Sequence, residues 1–202
     1  AIMGLKSGEV DFDGETISEN DNPEHSMTLS DLITSLEAGN GRIIEVTESH
    51  TSPVSPPPFI AGFVETEIDK ETGKVEIIDY VAVVDCGTVI NKNLAKIQVE
   101  GGIVQGIGMA LYEDVVYTQR GELASNTFMQ YKMPTRKDVG NIIVDFEESY
   151  EPTGPFGAKS VGEVVVNTPS PAIENAIYNG LGINLNTLPM TPEKVFMAMT
   201  NK

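Results

Sequence analysis

Apolar residues recur at regular spacings along this chain, and these spacings predict most of its elements. The first 50 residues are polar and turn-rich, with one apolar helix face made by Leu29, Leu32, Ile33 and Leu36. This face predicts a helix at about 28–36, capped by Thr28 or Ser30. Residues 51–58 contain four prolines and must be extended, because proline fixes φ and lacks an amide donor. We therefore expect an acidic N-terminal segment at 1–52 and a main domain at 53–202.

Two strand patterns follow the prolines, at about 62–68 and 75–84. The residues between them include Gly73, which suits the positive φ of a hairpin turn. The second strand is rich in β-branched residues and ends at Asp85, Cys86 and Gly87. The sequence therefore predicts an antiparallel hairpin.

A helix is expected next, at about 93–112, with small residues along one side. Gly102, Gly106 and Ala110 recur every four residues and form a flat stripe. Glycine inside a helix costs about 1 kcal/mol relative to alanine, so the stripe needs a compensating contact. Close packing against another segment is one reason for it, and a ligand lying along the helix is another. Gln105 adjoins the stripe and can hydrogen-bond a polar group there.

The last third of the chain mixes strands and helices. Short segments at 115–117 and 122–123 flank a turn, and residues 142–146 alternate like a strand. Ser170 followed by Pro171 predicts a helix start, and Gly180 or Gly182 predicts its end. Thr191 followed by Pro192 predicts the start of a final helix. Because the elements do not alternate regularly, the pattern favours an α+β fold over a doubly wound sheet.

The net charge and the cysteine count exclude several classes of function. A net charge of −17 argues against binding nucleic acid or an anionic membrane surface. No apolar run approaches the length of a membrane span. The single cysteine, Cys86, cannot form an internal disulfide, which favours a reducing, cytoplasmic location. His25 and His50 stand apart from any second ligand, so we expect no metal site built by side chains.

The best candidate for chemistry is the loop 157–163, which ends in a carboxylate. Glu163 directly precedes the apolar run 164–166. Burial beside this run would raise the pKa of Glu163 towards the range useful for proton transfer. The glycines at 157 and 162 allow the backbone to approach a ligand closely. A tight turn ending in a solvated glutamate is the alternative that spacing alone leaves open.

Several stretches, taken in order, resemble a known enzyme family. They are 73–77 (GKVEI), 84–87 (VDCG), 90–91 (IN), 98–108 (QVEGGIVQGIG), 157–163 (GAKSVGE) and 191–195 (TPEKV). Together they resemble the C-terminal part of the molybdopterin-binding subunit of the xanthine dehydrogenase and aldehyde oxidoreductase family. The resemblance extends from about Pro58 to the C-terminus and is loose before it.

The resemblance implies a molybdenum–pyranopterin cofactor, with or without an attached nucleotide, whose metal takes no ligand from protein side chains. Cys86 is accordingly expected to be a buried structural thiol. Glu163 matches the family's catalytic base, which accepts a proton from a hydroxyl held at the molybdenum. Gln105 and the backbone amides of Lys159, Ser160, Val161 and Gly162 are the expected cofactor contacts. Val164 stands where many relatives have proline, which leaves the base in place.

The implied activity is oxidative hydroxylation of a purine, another N-heterocycle or an aldehyde, with water as the oxygen source. One cysteine cannot hold an iron–sulfur cluster, and no dinucleotide-binding glycine motif follows a strand. Iron–sulfur and FAD groups are thus expected on partner chains, beside the remaining molybdopterin-binding portion. The chain would be a fragment or a split subunit, active only together with those partner chains and the remaining portion. The alternatives are a non-catalytic cofactor-binding or assembly module, and an acidic interaction domain whose glycine stripe only packs helices.

Overall fold

Strands and helices are both present in the computed structural model, which describes residues 2–40, 45 and 47–200. The predicted α+β class is therefore confirmed. The chain divides into two units, Ala1–His50 and Thr51–Lys202. None of the helices in the described residues is long and apolar enough to cross a membrane.

The first unit is an antiparallel sheet followed by a helix, in the order β1 (Val10–Phe12), β2 (Thr16–Glu19), β3 (Asn22–Thr28) and α1 (Leu29–Asn40). The helix was predicted, and the Thr28 hydroxyl caps it by accepting a hydrogen bond from the Asp31 amide at 3.1 Å. The sheet was not predicted. Its strands are short and β3 is mostly exposed and polar, so they lack the alternation that signals a strand.

The second unit contains a three-stranded sheet and three helices, namely β4 (Phe59–Ile68), β5 (Val75–Asp85), α2 (Lys92–Leu111), β6 (Asn141–Phe146), α3 (Pro169–Leu181) and α4 (Pro192–Thr200). β4 and β5 form the predicted hairpin, with Gly73 at φ 75° in the turn. β6 pairs with β5 in parallel, so the sheet order is β4-β5-β6. The predicted segments 115–117 and 122–123 form an isolated antiparallel bridge between Tyr117 and Leu123 and not a longer pair of strands.

The boundaries of α3 differ from the prediction at one end. The helix begins at Pro169, two residues earlier than expected, and ends at Gly182 with φ 64°, as predicted. Thr168 precedes the helix, but its hydroxyl accepts a hydrogen bond from the Tyr80 hydroxyl at 2.9 Å instead of capping the helix. A tertiary contact with the sheet therefore sets the start of this helix.

The helices pack on one face of the sheet and enclose the core. Tyr80, Ala82 and Val84 of β5 are fully buried on this inner face. They belong to one apolar cluster with buried residues of the helices, which include Val99, Ile103, Ile107, Ile173, Ile177 and Val195. The opposite face of the sheet keeps large apolar side chains exposed, Phe59, Phe63 and Ile143 among them.

The small-residue stripe of α2 packs against the segment that follows the 157–163 loop. A Cβ on Gly102 would collide with the Val165 side chain, and one on Gly106 would lie 2.5 Å from Cγ of Pro169. Gly102, Gly106 and Ala110 are all buried. Close backbone packing therefore accounts for the stripe, and this contact fixes α2 against residues 165–169.

A Gly106→Leu change is expected to lower the free energy of unfolding by about 3 kcal/mol, because the new side chain must displace Pro169. Urea unfolding of purified protein measures this change. Gly101→Ala is the matched control on the same helix, where a Cβ meets open space, and it should raise stability by about 1 kcal/mol. Equal unfolding midpoints for Gly106→Leu and the wild type would contradict the packing role of the stripe.

Candidate functional site

The 157–163 loop is attached to the carboxyl end of β5 by backbone hydrogen bonds. The Lys159 amide donates to the Cys86 carbonyl at 2.7 Å, and the Thr88 amide donates to the Gly157 carbonyl at 2.8 Å. Gly87 and Gly157 both have positive φ, at 69° and 82°, which a side chain would strain. These hydrogen bonds therefore fix the backbone at the start of the loop against the end of β5.

An ion pair between Asp85 and Lys159 reinforces this attachment. The Lys159 ammonium lies 2.7 Å from Oδ2 of Asp85. The side chain of Lys159 is only 7% exposed, and that of Asp85 is 20% exposed. Oδ1 of the same carboxylate accepts hydrogen bonds from the Gly87 amide and the Ser149 hydroxyl. The ammonium also lies over the Phe59 ring, 5.3 Å from its centroid. The pair thus joins β5, the residues after β6 and the loop.

The electrostatics of Asp85 follow from these contacts. Burial alone would raise the pKa of its carboxyl group. Hydrogen bonds from Lys159, Gly87 and Ser149, together with the positive charge of Lys159, outweigh burial and hold the pKa below the ordinary value. Asp85 is therefore a stable anion that keeps the Lys159 side chain in place.

A cavity of about 390 Å³ lies between the loop and the start of α2. Its wall is largely apolar, and its polar side chains include Thr88, Asn91 and Gln98. Oδ1 of Asn91 accepts a hydrogen bond from the Leu94 amide at 3.0 Å and so caps α2. The remaining lining residues are Cys86, Val89, Ile90, Leu94, Ala95, Ala158, Lys159, Val161 and Gly162. A mainly apolar cavity with a few polar groups is typical of small-molecule sites.

Glu163 lies next to this cavity, directly after the lining residue Gly162. The expectation that it is buried against the run Val164–Val166 was wrong, because the residue is exposed in this chain. The run forms a short 3-10 turn in which Val165 is buried beneath Gly102 of α2. The turn buries the valine and leaves the preceding glutamate exposed.

The four other predicted loop contacts fall into two groups. The Lys159 amide and ammonium are already bonded, to Cys86 and Asp85, so the expected role of this amide as a cofactor donor was wrong. The amides of Ser160, Val161 and Gly162 donate no hydrogen bond to any residue that the structure describes. Val161 and Gly162 line the cavity, and Ser160 is exposed. Three consecutive amides therefore have no partner among the described residues, and two of them belong to residues that line the cavity.

Gln105 is exposed on α2 and is not among the residues that line the cavity. Gln98 does line it, and its Nε2 atom lies 4.0 Å from the position that a Cβ on Gly162 would take. The two glutamines are seven residues apart and so share one helix face. Sequence reasoning missed Gln98, Thr88 and Asn91. The sequence did contain a signal for these residues. They follow Gly87 closely, at the end of β5 and in the first turns of α2.

Cys86 is buried, with 4% exposure, as predicted. Burial, followed by the nearby charge of Asp85, raises the pKa of its thiol, so it stays protonated and unreactive at neutral pH. Across the described ranges, no three His, Cys, Asp or Glu residues come together in a group able to hold a metal ion.

The chain is similar to known proteins over most of its length. The sequence model of the molybdopterin cofactor-binding domain family matches residues 1–140. The chain is 33% identical over 178 residues to the probable hypoxanthine oxidase XdhD of Escherichia coli (strain K12), covering 86% of this chain and 18% of that protein. It is 34% identical over 176 residues to the putative xanthine dehydrogenase molybdenum-binding subunit XdhA of the same strain, covering 86% and 23%.

Among solved structures, quinoline 2-oxidoreductase from Pseudomonas putida 86 superposes with a TM-score of 0.80 at 25% identity, covering 100% of this chain and 27% of that chain. The chain therefore spans about a fifth to a quarter of the length of these relatives. The family match includes residues 1–52, where the motifs carried only a loose resemblance, and it ends before the 157–163 loop.

A Lys159→Met change is expected to lower the free energy of unfolding by about 2–3 kcal/mol, because it leaves the largely buried Asp85 carboxylate without its cation. Amide exchange across 157–163 should also become faster, and hydrogen–deuterium exchange measures it. Lys96→Met is the control, since Lys96 and Glu100 form an exposed pair at 3.7 Å, and should change stability by less than about 0.5 kcal/mol. Unchanged loop exchange in Lys159→Met would show that the pair does not hold the loop.

The contribution of Asp85 to stability is expected to depend on pH. Its folded pKa lies below the ordinary value of 3.8, so the contribution is complete above that pH and is lost as the pH falls through the folded pKa. Asp85→Asn should therefore be destabilised most, relative to the wild type, above about pH 5. The difference should shrink below pH 3.8. Urea unfolding at several pH values measures it, and a constant difference would be the contrary result.

Proposed function

The chain belongs to the molybdopterin cofactor-binding family, and we propose that it supplies part of the catalytic site of a molybdenum hydroxylase. The observation that carries this proposal is the cavity between the loop and α2, whose lining includes Val161 and Gly162 with unpaired amides, next in sequence to Glu163. The substrates that we propose are a purine, another N-heterocycle or an aldehyde. The whole activity belongs to an assembly in which this chain is one part.

The residues present fit an anionic pterin cofactor. The amides of Ser160, Val161 and Gly162 are unpaired donors, and backbone donors in succession bind anionic oxygen or sulfur atoms well. Gly162 gives the backbone close access, since a Cβ there would have only the Gln98 amide as a neighbour, at 4.0 Å. When bound, a molybdenum–pyranopterin would supply the redox chemistry of hydroxylation.

Two glutamines are candidates for side-chain contacts to the cofactor. Gln98 is supported by its position in the cavity lining. Gln105 is supported by the resemblance of its motif, and it lies on the same helix face, seven residues further on. Both amides can donate and accept hydrogen bonds, which suits the mixed donor and acceptor edge of a pterin.

Glu163 is the proton acceptor that we propose for the reaction. A carboxylate works best as a general base when its pKa lies near the working pH. Glu163 is exposed in this chain, and a covering surface from the rest of the subunit would exclude water from it. The chain thus holds the base in position, and assembly with the remaining portion completes its environment.

The partners that we propose are the remaining molybdopterin-binding portion, an iron–sulfur subunit and an FAD subunit. The single cysteine and the relatives' greater length support such a division of groups among chains. A single unpaired thiol also supports a cytoplasmic location. The competing hypothesis of an interaction domain agrees with the packed glycine stripe, but it gives no role to the cavity and its free amides.

In the molybdenum-loaded assembly, Glu163→Gln is expected to lower turnover by about 10²–10⁴-fold, because glutamine cannot accept the proton. Molybdenum and pterin contents should stay near the wild-type values, since the backbone donors remain. Glu71→Gln in the exposed β4–β5 turn is the control and should leave both turnover and metal content unchanged. An assembly that contains no molybdenum at all would refute the proposal, and full turnover in Glu163→Gln would remove the base role.

A further inference from the structure

The outer face of the β4-β5-β6 sheet carries a continuous apolar surface. Phe63, Val81 and Ile143 are register partners and form one row across all three strands. Ala61 and Val83 form the adjacent row, with Phe59 beyond it. We call these six residues the outer sheet face. Phe59, Phe63 and Ile143 are 61%, 65% and 51% exposed, so the surface is apolar and open to solvent in this chain.

The strand sequences are those of a sheet that is covered on both sides. Residues 80–84 of β5 are apolar at every position, where a strand with one wet face would alternate. β5 pairs antiparallel with β4 and parallel with β6, so the sheet is mixed. The helices cover the inner face alone. Contiguous exposed apolar patches of this kind mark interaction sites on soluble proteins.

The rim of the outer sheet face is acidic. Glu65 and Asp79 form the next register row beyond Phe63 and Val81, and Asp145 lies beside Val83. The whole chain carries a net charge of −17. A second copy of this chain would bring a like-charged rim, which costs free energy on contact. The complementary partner has an apolar centre surrounded by Lys and Arg side chains.

We propose that the outer sheet face docks against the remaining part of the molybdopterin-binding subunit, on a surface with an apolar centre and a basic rim. The identity of this occupant rests on the proposed function. The relatives support it, because about four fifths of their length lies outside the region that this chain matches. Such a second layer would bury Phe59 and, with it, the Lys159 ammonium that lies over its ring. Docking would therefore also tighten the ion pair that holds the loop.

Oxidative side-chain footprinting of the assembled enzyme tests the contact. Phe63 is 65% exposed in this chain, so docking should lower its oxidation rate at least tenfold, with the rate in the denatured assembly as the reference. Phe59 and Ile143 should be protected together with it. Oxidation of Phe63 in the intact assembly at the rate expected from its exposure in this chain would overturn the proposal.

A variant pair tests the energy of the contact. With this chain and the rest of the subunit produced as separate polypeptides, Phe63→Glu with Ile143→Glu should weaken their association roughly 100-fold. Met197→Glu is the control, since Met197 is a similarly exposed apolar residue on α4, at 51%, and it should not change the association. Equal association of the double variant and the control would overturn the proposal.

Two further outcomes separate the interface from the proposed function. Protein-concentration-dependent self-association of this chain, abolished by Phe63→Glu, would assign the face to a second copy and overturn the occupant that we propose. An assembly that protects Phe63 through the rest of the subunit but contains no molybdenum would support the interface and refute the hydroxylase. A molybdenum-containing assembly with Phe63 open to oxidation would support the hydroxylase and refute the interface.

Discussion

The ion pair between Asp85 and Lys159 connects the fold to the candidate site. Asp85 is the last residue of β5, and Lys159 lies in the loop that leads to Glu163. Because the pair is largely shielded from water, its geometry is held more firmly than that of the exposed pairs in this chain. Asp85 also accepts hydrogen bonds from the Gly87 amide and the Ser149 hydroxyl. One carboxylate therefore connects the turn after β5, the residues after β6 and the loop.

The second constraint on the site is the small-residue stripe of α2. Gly102 admits Val165 and Gly106 admits Pro169, so the segment after Glu163 lies against the helix backbone. The same helix contributes Leu94, Ala95 and Gln98 to the cavity. One helix therefore supplies a cavity wall and also fixes the segment that follows the candidate base. The glycines of the family motif act here through packing.

The sequence predicted the elements of the second unit well, because their signals are local. Proline and glycine positions located the β4–β5 turn and the end of α3, and apolar spacing located α2. The start of α3 was misplaced because Tyr80 engages the Thr168 hydroxyl, a contact between residues distant in sequence. The exposure of Glu163 and the cavity role of Gln98 were missed for the same reason. Which side chain faces the cavity depends on how the turn Val164–Val166 and α2 are rotated, and neither rotation can be read from residue spacing.

The two attachments of the loop have a consequence for ligand binding. One lies at Lys159 and the other at Val165, so the unpaired amides of Ser160, Val161 and Gly162 lie in a short span between fixed ends. The conformational entropy of this span is largely lost when the chain folds. A ligand that reaches the amides therefore meets donors already in place, and little of its binding free energy is used to order the backbone. Fast capture and slow release are the kinetic behaviour that such preorganisation favours.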